Sequence, residues 1–132
     1  MELEEILETF EFFDSWEDKY KFILELGKEL PELPDEHKTE ENLVRGCQSQ
    51  VWLHYKKQDD TLSLQMDSDA FIVKGLIHIV LAAYANKSTT EIATFDILAL
   101  FEELDLLAHL SGTRGNGLRA MVDKIQAVAS AH

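Results

Sequence analysis

Residues 71 to 85, "FIVKGLIHIVLAAYA", restrict the fold more than any other stretch of the chain. Ile72, Leu76, Ile79, Val80 and Ala83 recur at helical spacing, while Phe71, Val73, Ile77 and Leu81 widen that stripe to most of the circumference. A helix that is apolar nearly all round must be covered on nearly every side. The spacing therefore predicts a central, buried helix from about Asp69 to Asn86, with the other elements packed around it. The run is too short and too interrupted to span a bilayer. His78, on this helix, reads as a core histidine with satisfied nitrogens.

The flanking periods supply the cover. Leu3, Ile6, Leu7 and Phe10 predict a first amphipathic helix. Ser15 is placed to cap a second, with Asp18 as a short-armed capping-box partner, and Trp16, Tyr20, Ile23 and Leu24 share a face. Pro31 and Pro34 in "LPELPDEHK" end that helix. From Leu43 the period changes to two. Val51, Leu53 and Tyr55 alternate with Trp52, His54 and Lys56, and Leu62, Leu64 and Met66 follow the turn "KQDDT". This pattern predicts an antiparallel hairpin, preceded by a shorter strand near Leu43 to Arg45. Further helices are expected at about Ile97 to Leu104 and from Ser111–Thr113 onward, the last carrying Leu118, Met121, Val122 and Ile125. The fold class is α+β, a small antiparallel sheet flanked by helices. With 132 residues and no linker or repeat, residues 1–132 read as a single domain.

Charge narrows the partners. The net charge of −13 argues against nucleic acid, which requires a basic footprint. Residues 1 to 43 hold 15 acidic and 4 basic side chains, a balance of −11, so most of the excess is N-terminal. That third is either a solvated face that aids solubility or a docking face for a basic partner. The opening "MELEEILETF" is no basic leader, and a cytoplasmic protein is the default expectation.

The single cysteine, Cys47, stands in "RGCQSQVW", a glycine-led polar turn before a strand. One cysteine allows no internal disulfide, although two copies could be bridged. The thiol reads either as a reactive group shown at a sheet edge or as an inert structural side chain. A resident metal site is not expected, because iron–sulfur and zinc sites need several clustered ligands. Arg114, at the start of the last helix, opposes the helix dipole and so asks for another explanation. It is either indifferent or holds a carboxylate or thiolate. Asp69, at the start of the central helix, reads as a cap or dipole partner. "RGNGL" lacks the spacing and the preceding strand of a phosphate loop.

In order along the chain, "GCQSQVWL", "DSDAFIVKGL" and "LSGTRGNGLRAMV" resemble the SufE family of sulfur-acceptor proteins, which includes CsdE-type members. "LPELPDEHK" matches the family's loop before the cysteine strand, and the resemblance runs over nearly the full chain. It implies an α+β domain like the IscU-type scaffolds. It also implies a sulfur relay: Cys47 takes persulfide sulfur from a cysteine desulfurase of the SufS or CsdA type, stimulates it, and passes sulfur to an iron–sulfur scaffold or other acceptor. Pyridoxal phosphate belongs to the desulfurase, so no cofactor and no metal are expected on this chain, nor independent turnover. Asp69, Arg114 and Gln48 match positions that support the cysteine loop or the response to the partner. Gly112 stands where proline is common in the family. Monomer and homodimer remain open. The rival readings are a non-catalytic adaptor that activates a desulfurase by binding, and a cysteine-dependent hydrolase, which would need a positioned histidine.

Overall fold

A computed structural model describes residues 1–131. Seven helices and one two-stranded sheet occur among them: α1 (Leu3–Phe12), α2 (Trp16–Glu29), β1 (Val51–Gln58), β2 (Thr61–Ser68), α3 (Phe71–Tyr84), α4 (Thr89–Thr94), α5 (Ile97–Glu103), α6 (Leu106–His109) and α7 (Gly112–Ala131). The fold is α+β, as the sequence periods require.

Helix α3 is the central element, two residues shorter than expected at each end. Ile72, Val73, Leu76, Ile77, Ile79, Val80 and Ala83 are all buried, and each large aliphatic side chain contributes about 1.5–3 kcal/mol relative to exposure. Its closest neighbour is α2. A Cβ on Gly75 would lie 2.0 Å from the Ile23 carbonyl oxygen, and one on Gly27 would lie 2.8 Å from that of Phe71. The two glycines let the helix backbones nearly touch. This contact turns the buried stripe of α2 onto Ile23, Leu26 and Gly27, leaving Tyr20 exposed rather than on a shared inner face. Ser15 caps α2 by accepting from the Asp18 amide at 3.2 Å, without a reciprocal bond from Asp18. His78 is half-buried and donates from Nδ1 to the Leu26 carbonyl at 2.9 Å.

The hairpin pairs Val51 with Ser68 through Gln58 with Thr61, with Asp59 in the left-handed region at φ 55° in the two-residue turn. The alternation holds: Val51, Leu53, Leu62 and Met66 are buried. The strand expected near Leu43 to Arg45 shrinks to one bridge, Leu43 to Trp52, with Val44 N–H donating to Val51 and Leu53 N–H to Asn42, each at 2.8 Å. Arg45 and Gly46 turn the chain away before a second bridge can form.

Asp67 breaks the polar-out rule of β2. It is 1 % exposed, accepts from the Leu33 amide at 3.1 Å, and lies 3.7 Å from both Lys38 and Lys74. A buried carboxylate requires such partners. Here they pin the proline loop to the hairpin and to α3.

Beyond α3, α5 falls where a helix is expected, while α4 and α6 flank it as short additions. Helix α7 begins at Gly112. Ser111 caps it, its Oγ accepting from the Arg114 amide at 3.2 Å and its carbonyl from Gly115 at 2.9 Å. Leu118, Met121, Val122 and Ile125 close the core. No helix among the described residues is long and apolar enough to cross a membrane.

Candidate functional site

The Cys47 loop hangs between two anchors. On one side Val44 is bonded to Val51. On the other, Gln50 is held from three directions. Its amide donates to Asp69 Oδ1 at 3.0 Å, and its carbonyl accepts from the Asp69 amide at 3.3 Å and from Ser68 Oγ at 2.7 Å. Between them Gly46 has φ 94°, a conformation that L side chains rarely adopt. A Cβ there would also meet the Cβ of Ala120 at 3.3 Å.

This path lays Cys47 against the N-terminal part of α7. The thiol is half-buried, and Sγ donates to the Gly117 carbonyl at 3.5 Å. Gly117 leaves the space beside Sγ open, where a Cβ would stand in ordinary contact with the sulfur at 3.5 Å. Beside the sulfur lies a cavity of about 40 Å³, walled by Val51, Val73, Leu76 and Met121. Burial pushes the Cys47 thiol above its ordinary pKa, so at neutral pH it rests protonated and is a poor nucleophile.

Gln48 and Arg114 line this cavity together with Ser49 and Thr113. Gln48 makes no side-chain hydrogen bond among the described residues. Arg114 sits in the first turn of α7 without an ion pair among them, so no carboxylate holds it. Asp69 does not line the cavity. It is also no cap for α3, whose N-cap is Ala70 and has no side-chain bond. Its carboxylate is drawn to Gln50 instead, which ties the loop to the start of α3. From sequence Val73, Leu76 and Met121 read as core positions, Thr113 as a helix start and Gly117 as part of the discarded "RGNGL" turn, so none of them was expected beside Cys47. A Cβ on Gly112 would meet nothing within 4 Å, and the Ser111 cap closes the turn before Arg114.

The histidines among the described residues lie elsewhere. His54 stacks on His37 with ring centroids 3.7 Å apart, and His109 stacks on Trp16 at 4.6 Å. No thiol–imidazole pair occurs among the described residues, so the positioned histidine of the hydrolase reading is missing there. Nor do they contain a cluster of three or more His, Cys, Asp or Glu side chains suited to a metal ion.

The SufE family model, described as an Fe-S metabolism associated domain, matches residues 4–129. An uncharacterized SufE-like protein of Rhizobium meliloti (strain 1021) is 45% identical over 131 residues, covering 96% of this chain and 94% of that protein. One of Rhizobium etli is 48% identical over 128 residues, covering 94% of this chain and 86% of its own length. Among solved structures, the solution structure of a hypothetical protein from Thermus thermophilus superposes with a TM-score of 0.77 at 20% identity. It covers 98% of this chain and 93% of that one, a likeness of fold.

Proposed function

The chain belongs to the SufE family, and from that premise we propose that it is a cytoplasmic sulfur relay whose carrier atom is Cys47 Sγ. The donor is the persulfide of a pyridoxal-phosphate-dependent cysteine desulfurase, and the sulfur goes on to iron–sulfur cluster assembly. The observation that carries this reading is the half-buried Cys47 thiol, on a loop anchored at both ends, beside a small cavity lined by both aliphatic and polar side chains.

The step balances without an outside oxidant. The Cys47 thiol loses its proton to solvent or to the docked partner, and the thiolate attacks the terminal sulfur of the donor persulfide. The Cys47–sulfur bond forms as the donor's S–S bond breaks. The donor leaves as a thiolate, and Cys47 carries the persulfide. Thiol–disulfide chemistry of this kind needs a thiolate and an open line of approach. The resting loop supplies neither, because burial keeps Sγ protonated and bonded to Gly117. Docking therefore has to draw the loop off α7. Gly46 and the short clamp at Gln50 are where the chain can turn. Returned to its place, the terminal sulfur would sit among Val73, Leu76 and Met121, away from water and reductants. Arg114 and Gln48 stand at the same cavity, where a guanidinium and an amide would favour a persulfide anion.

The adaptor reading makes a different forecast. Cys47→Ser removes the nucleophile with little change in volume. In the relay, stimulation of desulfurase turnover under limiting reductant falls to the level of the desulfurase alone, while affinity measured by calorimetry changes only modestly. Full stimulation by the serine variant would make the protein an adaptor.

A further inference from the structure

We propose that the free edge of β2 is a docking groove for an extended, basic segment of a partner polypeptide, which adds there as a further strand. The parity of the hairpin places the unused backbone groups. Val44 N–H donates to Val51 and Leu53 N–H to Asn42, so Val51 and Leu53 turn their backbone groups away from β2. Met66 pairs with Leu53, and in an antiparallel ladder such a pair exchanges no hydrogen bonds. Met66 and, two residues back, Leu64 therefore turn N–H and C=O outward.

Those groups have no partner among the described residues. The edge is closed near the tip, where Ser88 bridges Thr61 and Thr89 N–H donates to Asp60 at 2.9 Å, and the proline loop bounds its other end, where Leu33 N–H donates to Asp67. Met66 is only 2 % exposed, so the outward groups within reach of an incoming strand are those of the half-buried Leu64. Unpaired backbone groups on a strand edge are a template for a further strand. What flanks the edge is room: two adjoining hollows of about 520 and 120 Å³, with Leu64 and Leu81 common to both.

Charge selects the occupant. Glu32 lines one end of the groove, and Asp59 and Asp60 stand in the hairpin turn just before Thr61 at the other, all exposed and without an ion pair among the described residues. The lysine in the groove wall, Lys87, is already committed, its ammonium donating to the Ala83 carbonyl and lying 4.6 Å from the Phe95 ring centroid. Carboxylates at both ends of an apolar centre suit a strand with apolar side chains in its middle and Lys or Arg at its ends. A second copy fits poorly, because edge-to-edge pairing would set like carboxylates against each other in a chain of net charge −13. Backbone bonds then give affinity, and the hollows select alternate side chains.

The test uses the whole chain and is independent of Cys47. The probe is the blocked peptide Lys-Val-Thr-Val-Thr-Val-Lys, titrated into ¹⁵N-labelled protein, alongside the same peptide N-methylated on its central residues. The expected result is amide shifts centred on Leu62, Leu64, Leu81 and Tyr84, with the Leu64 amide slowed in exchange. Affinity should fall with added salt, and about three- to tenfold on N-methylation. Leu64→Pro removes one outward N–H without a ladder bond to β1 and should weaken binding similarly. If that variant fails to fold, the N-methylated peptide on the natural chain decides. Equal binding of the two peptides, shifts centred elsewhere, or concentration-dependent shifts at Leu64 without peptide would each overturn the proposal.

Discussion

The α2–α3 contact and the Cys47 loop are built on opposite principles, though both depend on glycine. At α2–α3, Gly27 and Gly75 allow two helix backbones to close until no added atom would fit. At the loop, Gly46 and Gly117 allow a thiol to rest on a helix with a small hollow left beside it. The first region is over-determined by packing on every side. The second is held by two backbone anchors and one long thiol–carbonyl bond of 3.5 Å. The proposed relay would use this division, with a rigid frame to present the carrier and a weakly held carrier able to leave it.

The largest effect that tests the contrast is Gly75→Ala. Its Cβ would fall 2.0 Å from the Ile23 oxygen and 2.5 Å from Ile23 Cγ2, so α2 and α3 must part. Overpacking of this kind costs on the order of 3 kcal/mol, beyond the roughly 1 kcal/mol that alanine gains in a helix. The urea midpoint should fall accordingly. An unchanged midpoint would mean the contact is softer than its geometry.

Asp69→Ala acts on the loop with a smaller cost, about 1 kcal/mol for the lost bond to Gln50. Its sharper readout is the rate of Cys47 alkylation, which should rise as one anchor is released. Asp69→Asn keeps an acceptor and should restore most of the protection. A rate unchanged in the alanine variant would show that Asp69 does not restrain the loop.

Gly117→Ala should separate stability from function. The added methyl meets Cys47 Sγ at 3.5 Å, an ordinary contact, and alanine in the helix raises stability by about 0.5–1 kcal/mol. It also takes up room beside the thiol, so sulfur acceptance should fall while the melting temperature rises. A gain in both would place the incoming sulfur elsewhere.

The helical and alternating periods made α2, α3 and the hairpin legible because each is long enough to repeat. Short elements offer no such repeat. Helix α6 has four residues and follows Asp105, which adopts φ 58°. Helix α4 left one signal, the Ser88–Glu91 capping box, without an apolar stripe to go with it. Asp67 opens the "DSDAFIVKGL" motif, but its burial was not legible there, since it depends on Leu33 and Lys38, distant in the chain, as well as on Lys74 within the motif. Cys47 could be singled out by its turn. Its cavity could not, because the walls come from β1, α3 and α7 together.

The smallest predicted effect is in pH. The Cys47 pKa is raised by burial, so the folded state holds its proton more tightly than the unfolded chain. The resulting stability is present below the unfolded value near 8.5 and is lost as pH rises through the folded value. The alkylation midpoint should lie above that of an unfolded control. Equal midpoints would mean the thiol is not sheltered at rest.

The central claim is that sulfur travels on Cys47, and intact mass under non-reducing conditions tests it most directly. The protein is incubated with a cysteine desulfurase and cysteine, beside the Cys47→Ser variant. The natural chain is expected to gain one sulfur atom, removed by reductant, and the variant to gain none. A natural chain that gains no sulfur while still stimulating the desulfurase, or a serine variant that gains it equally, would contradict the account.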